Sequence, residues 1–435
     1  MVARASALKK MPAIAQDNQQ QYDELWRQDS ATAFQQWSLN GVGIHSNTQS
    51  FDVKLLPSNP MICRASDIDG GNTHYDNQAK LCTGRDPQPP GSYDQGINYY
   101  NGGSFYYGTL LSPIHQTQQP VTTIIASWNA VTPAGTWMEI HVRVLQNHNW
   151  SHGYILPIWA SDFSTIQRHS VDGQDDATGT VTTDTFSSKG SKATAYQLSV
   201  TLFSTSPTLS PSLHLVDGLA TNDVDALHTP VIPSKQVGWG INLPVPQRSQ
   251  MLSEYNGSGY GGGGEVWCSP TSTSMVMAYW SQLLQHPELT QTVPNVARDI
   301  YDATYQGTGN WPNNTAAAAS FSPLHAFVTR LYSMSQVEQW INLDVPIIIS
   351  IAYGAGQLPG SPIPSSTGHL IVIRGFTNKG DVITNDPAAA TNKGVQITYP
   401  RTILEKLWLN TSHGTSYMIY PTFWPVPKQD RLRSW

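Results

Sequence analysis

The sequence predicts two domains, an all-β sandwich of jelly-roll-like type followed by an α+β domain. Three observations carry this. At 435 residues the chain is longer than one ordinary hydrophobic core serves. From about residue 36 to 215, short segments alternate apolar and polar side chains between Gly, Pro, Asn and Asp turns. Beyond about residue 243 the pattern changes to mixed helical and strand periods.

Residues 1–35 are polar and Gln-rich and read as an N-terminal arm, with a short helical stretch at "QQYDELWRQ". The sandwich is read over 36–215. In "TWMEIHVRV", Met138, Ile140, Val142 and Val144 share one face, and Glu139, His141 and Arg143 the other. "AYQLSVTLF" sets Tyr196, Leu198, Val200 and Leu202 inward. "VTTIIASW", "GYILPIWA" and "PSLHLV" are further strands, and such a series between turns indicates a sandwich. Residues 216–243 lack regular periodicity and read as a linker. The second domain is read over 244–424, with a tail at 425–435. Its predicted helices are 269–285, 292–304, 315–331, 335–342 and 401–409. Its predicted strands are "PIIISIA", "HLIVIRGF", "DVITND", "VQITY" and "SYMIYP".

Charged residues make up 12% of the chain, and the formal net charge is -6. With no Lys/Arg block, nucleic acid is not a favoured partner. No apolar run reaches the roughly 18 residues that span a bilayer. The N-terminus has a basic start but no apolar core of the kind a secretory signal needs. Low charge and uncharged polar strands nevertheless point to a secreted protein whose signal is absent from this chain, and a cytoplasmic location stays open.

Three cysteines are present. Cys63 and Cys82 share a loop-rich stretch, and pairing them would close a small loop worth up to about 3 kcal/mol. The alternative is that all three are reduced and buried. Pairing leaves Cys268 as the odd thiol. It stands in "GGGGEVWCSPTSTSMVMAYW", at the start of a stretch with Pro270 near the first turn, hydroxyls to cap free amides, and an apolar stripe through Met275, Val276, Tyr279 and Trp280. A helix N-terminus favours a thiolate. An ordinary thiol is only about 3% ionised at pH 7, so a neighbouring imidazolium could raise the thiolate roughly thirty-fold.

Two further stretches bear on that thiol. "STGHLIVIRGF" puts His369 at the start of an apolar strand, hence at the sheet edge, and "DVITNDPAA" carries Asn385 and Asp386 on the strand that follows. A hairpin between these strands would bring Asp386 beside His369, where a carboxylate fixes the tautomer and supports the imidazolium. Asn385 is the alternative partner. Upstream, "LPVPQRSQ" offers Gln250, or its neighbour Gln247, as an amide donor to an oxyanion.

In this order these stretches resemble the bacteriocin-processing, double-glycine-type cysteine peptidases, cysteine peptidase family thirty-nine, and their stand-alone relatives. The likeness spans about residues 245–421, including "VPIIISI" and "YPRTILEKLWLNTSHGTSYMIY". It implies a bacterial protein with a papain-like peptidase domain and a peptide or protein substrate. It also implies Cys268 as nucleophile, His369 as base, Asp386 as orienter and Gln250 as oxyanion donor. The glycine run widens the spacing between Gln250 and Cys268. With no phosphate-binding loop or membrane spans following, the double-glycine specificity of peptide exporters does not carry over. The first half is similar, more loosely, to β-sandwiches that precede such domains in secreted bacterial proteins, which implies a role in cell-surface or glycan attachment.

No cofactor or metal is called for. His148 and His152 have the spacing of a metal pair but no third ligand, and the acidic Gly-rich loops "DIDGGN" and "DGQDDATG" read as solvated turns. Asn310 and Trp311 read as packing residues that could line a cleft, and the fourteen tryptophans as sandwich core. The alternative function is a non-catalytic binder of peptide or cell-wall glycan on a decayed peptidase fold. A third is another acyl transfer, such as transglutamination, on the same three groups.

Overall fold

The structure, a computed structural model, describes residues 21–47, 50–57, 61–62, 81–85, 103–162, 164–223 and 232–429. Cys63, the loop "DIDGGN", the first part of the arm, residues 224–231 of the predicted linker and the last residues of the tail lie outside them.

Two sheets build the first half. Thr136–Gln146 and Ala193–Ser204 pair antiparallel at the centre of one, and the register sets Met138 opposite Leu202, Ile140 opposite Val200, Val142 opposite Leu198 and Val144 opposite Tyr196. All eight side chains are fully buried, so the two faces read as inward meet each other. Glu139 and His141, on the opposite face, are buried as well. That face carries its own apolar cluster, which includes Phe105, Tyr107, Trp137 and Phe203. The other sheet centres on Thr123–Val131 and Ser212–Thr221 and ends in the hairpin Gly179–Thr182 with Thr185–Ser188. The stretch read as a short helix in the arm is instead a strand. Asp23–Trp26 pairs with Gly218–Thr221, burying Leu25, because strand pairing gives these residues partners that so short a helix would lack.

The second half has a six-stranded antiparallel sheet. Its order is Leu324–Arg330, Thr415–Pro421, Ile347–Tyr353, Ser366–Phe376, Val382–Asn385 and Gln396–Tyr399. Helices Cys268–Leu284, Val293–Ile300, Trp311–Ala319, Met334–Ile341 and Arg401–Ser412 accompany it. The helix expected over 315–331 divides. Asn310 caps a helix that ends at Ala319, and Leu324–Arg330 is a strand. Pro323 cannot continue the helix, and the Phe-Val-Thr run beyond it suits a pleated surface. His369 stands near the N-terminal end of an inner strand, which lies between Ile347–Tyr353 and Val382–Asn385.

One buried apolar cluster runs through both halves. Leu324–Arg330 ends the second sheet, and side chains of Thr123–Val131 cover it. Asn129 donates to the Ala326 carbonyl (2.5 Å) and accepts from its amide (3.2 Å), and Ser127 accepts from the Val328 amide (2.9 Å). An open sheet edge is thereby closed.

Candidate active site

The glycine run explains how Cys268 reaches its position. Gly263 has φ 95, and a Cβ there would sit 2.4 Å from the Tyr255 carbonyl oxygen. At Gly264 a Cβ would lie 2.2 Å from the carbonyl oxygen of Gln250. Only glycine lets the chain turn this tightly against residues 250–255. Trp267, fully buried, then anchors the turn through an indole N–H donated to the Tyr260 carbonyl (2.9 Å). The helix begins at Cys268. Its N-cap, Trp267, makes no side-chain cap, contrary to the capping expected from the hydroxyl-rich sequence. Those hydroxyls serve the interior instead: Ser269 bonds Tyr417 (3.0 Å) and Ser272 donates to the Leu370 carbonyl (2.9 Å). The second bond ties the Cys268 helix to the His369 strand.

His369 is 2% exposed. Its Nε2 lies 2.7 Å from Asp386 Oδ1, and Cys268 neighbours the ring. Burial disfavours the imidazolium, but the charge and hydrogen bond of Asp386, joined by those of Cys268, push the imidazole up to about 10. Burial would likewise raise the Asp386 carboxyl. The His369 charge and hydrogen bonds from His369, Tyr399 and the Ala388 amide hold it below the usual carboxylate range. Tyr399 donates to Asp386 Oδ2 at 2.7 Å and the Ala388 amide to Oδ1 at 3.0 Å. The Tyr353 ring meets His369 edge-on, with centroids 6.5 Å apart. Neither tyrosine is marked by a local motif. Tyr399 arrives through the pairing of Gln396–Tyr399 with Val382–Asn385.

Asn385 points elsewhere. Its amide donates to the Val245 and Pro246 carbonyls (3.3 and 3.0 Å), and its oxygen accepts from Arg374 (3.0 Å). Gln250 is buried and lines the cleft beside Cys268, whereas Gln247 is exposed. The Gln250 amide nitrogen donates to the carbonyls of Gly264 (2.9 Å) and Glu265 (3.0 Å), and its oxygen is buried without a partner. Both its N–H groups are therefore engaged, and donation to an oxyanion requires one of them to leave a carbonyl.

Cys268, the free thiol, is half-buried and opens with His369 and Gln250 onto one cleft of about 1060 Å³. Trp311 lines this cleft, while Asn310 is fully buried behind it. Cys82 is disulfide-bonded. His152 bonds Asp176 (2.9 Å) and the Gly153 carbonyl (2.9 Å).

Residues 24–221 match the Peptidase C39 N-terminal domain, and residues 242–416 match the Peptidase_C39 like family. The two matches are of one kind, a C39-type N-terminal domain followed by a C39-like peptidase-family domain. A protein from Bacillus anthracis assigned as a C39-like peptidase is similar in its solved structure, at 14% identity and a TM-score of 0.29 over 41% of this chain and 96% of that one. A search of curated proteins finds no match.

Proposed function

We propose that the protein is a cysteine-dependent peptidase. Its catalytic half is a papain-like α+β domain over about 244–424, following a jelly-roll-like sandwich. The observation that carries this reading is the buried imidazole of His369, bonded to Asp386 on one side and adjoining Cys268 on the other. In such an arrangement Cys268 gives its proton to His369 and the thiolate attacks the scissile carbonyl. The oxyanion is held by the Cys268 amide, with Gln250 turning one N–H from the Glu265 carbonyl toward it. His369 then protonates the leaving amine, and water, activated by the same imidazole, releases the acyl group. Asp386 stays ionised throughout and fixes the ring through Nε2, with Tyr399 fixing Asp386 in turn. The disulfide at Cys82 supports an exported location, since such bonds persist outside the reducing cytosol.

The test is brief iodoacetamide treatment of the native protein at pH 6, followed by mass-spectrometric mapping. An ordinary thiol is only about 0.3% ionised at pH 6, so Cys268 is expected to be alkylated markedly faster than a free cysteine, and His369→Ala should abolish that advantage. Ordinary thiol reactivity at Cys268, unaffected by His369→Ala, would remove the basis for the peptidase reading.

A further inference from the structure

The cleft that holds Cys268 is not made by the second half alone. Thr123, Thr182, Thr183, Thr185 and Ser187 of the first half also line it. Four of these come from one hairpin, Gly179–Ser188, whose two-residue tip is Thr183-Asp184. Both tip residues lie in the left-handed region, Thr183 at φ 49 and Asp184 at φ 61. Such turns are normally filled by Asn-Gly or similar pairs, and a β-branched residue there is strained. The tip carries a second cost: Asp184 is fully buried, with one carboxylate oxygen lacking any partner.

These costs are offset by docking. Asn310 of the second half donates to Asp184 (2.6 Å) and to Asp302 (2.8 Å). Asp302 in turn accepts from the amides of Thr304 and Tyr305 and from that of Ser170 in the first half, at 3.0–3.1 Å. The loop so pinned, through Gly307, Thr308 and Gly309, is also cleft wall. Strain and a buried carboxyl at one tip are thus tolerated where that tip meets the reacting thiol's cleft, a pattern typical of functional sites.

The wall's chemistry then states what it faces. The hairpin contributes hydroxyls and no charge, Asp223 and Arg330 beside it pair with each other, and the facing loop contributes Tyr305, Gln306, glycine backbone and one further hydroxyl. Hydroxyls donate and accept equally, so they suit the amides of an extended peptide, but they offer a charged side chain no counter-ion and a bulky apolar one no apolar pocket. We propose that the hairpin Gly179–Ser188 is a specificity wall of the cleft, selecting an extended peptide with small uncharged side chains. This rests on the reading of the cleft as a peptide site, although not on bond cleavage there.

The experiment uses the full-length Cys268→Ala protein, so that binding is read without turnover. Fluorescence anisotropy would compare labelled peptides rich in Gly, Ser and Thr with otherwise matched peptides bearing Lys, Glu or Phe. The Gly/Ser/Thr peptides should bind at least tenfold more tightly. Thr185→Glu should shift preference toward Lys peptides and Thr185→Lys toward Glu peptides, while Thr185→Ser keeps the original order. A reversal of charge preference cannot arise from general loosening of the fold. No preference in the parent, or identical preferences in both charged variants, overturns the wall. If the preferences hold but protein with Cys268 intact cleaves none of the peptides, the wall stands and the peptidase reading falls.

Discussion

His369 and Asp386 make opposite demands on pH, and their combination defines a window. The His369 imidazole is raised from its ordinary 6.5 to about 10. Its stabilising contribution is therefore complete below 6.5 and lost as pH rises through about 10. The Asp386 carboxyl is held below its ordinary 3.8, so its contribution is present above that value and lost as pH falls. Between the two, the imidazolium that the proposed mechanism uses to protonate a leaving amine persists. The alkaline limb of kcat/KM is expected near pH 10 and should move down in Asp386→Asn, which removes the charge that raises the imidazole. Measured pH profiles of both proteins check this, and an unmoved limb would assign it to another group. The stretch "ITNDP" leaves two candidates for this partner, side by side. Strand alternation divides them: Asp386 faces His369 and Asn385 faces Arg374 and the 245–246 carbonyls. Asn385→Ala is thus a stability mutant and not the neutral control its adjacency suggests, because it strips partners from a buried guanidinium and two carbonyls.

The elements that position these residues were legible in the sequence where one periodicity governed them. The Cys268 helix, the His369 strand and the paired inward faces of Thr136–Gln146 and Ala193–Ser204 all follow from local pattern. Elements set by partners were not. Asp23–Trp26 reads as a helix on its own and is a strand because Ser212–Thr221 supplies a ladder, and Leu324–Arg330 reads as the end of a helix because its apolar residues fit either period. Tyr399 and the Thr183-Asp184 tip depend on contacts far away in sequence, which no local motif encodes. The glycine run lies between these cases. Its flexibility is evident from composition, but the need for it appears only where Gly264 meets the Gln250 carbonyl. Gly264→Ala forces backbone apart between the proposed oxyanion donor and the helix of the proposed nucleophile. It should cost about 1–3 kcal/mol as an overpacked contact. Activity should fall on the order of a hundredfold, as expected from roughly 1 Å of misplacement. Chemical denaturation and kcat on the same sample check both, and an unchanged kcat would show that Gln250 and Cys268 need no fixed relation.

At the scale of the whole molecule, sequence patterning alone suggests that the two halves separate, each around its own core, because strand alternation ends near 215 and helical patterning starts near 269. The buried contacts argue for one cooperative unit. The apolar cluster crosses from one half to the other. The edge strand Leu324–Arg330 donates to Ser127 and accepts from Asn129, and the fully buried Arg168 guanidinium of the first half donates to the Arg298 carbonyl of the second (2.7 Å). Residues 240–435 produced alone would present that edge and its apolar neighbours to water, a template for strand pairing between molecules. They would also lose the bonds from Asn310 to Asp184 and from the Ser170 amide to Asp302, which help to hold the cleft loop. The isolated half is therefore expected to self-associate in size-exclusion chromatography, and to show slower alkylation of Cys268 than the full chain. Adding the first half as a separate polypeptide should restore both properties in part, with the shortfall set by the entropy of bringing two chains together. A monomeric fragment whose Cys268 reacts as fast as in the intact protein would show that the interface is dispensable for the fold and the thiol. The first half would then act on substrate choice alone, through its hairpin.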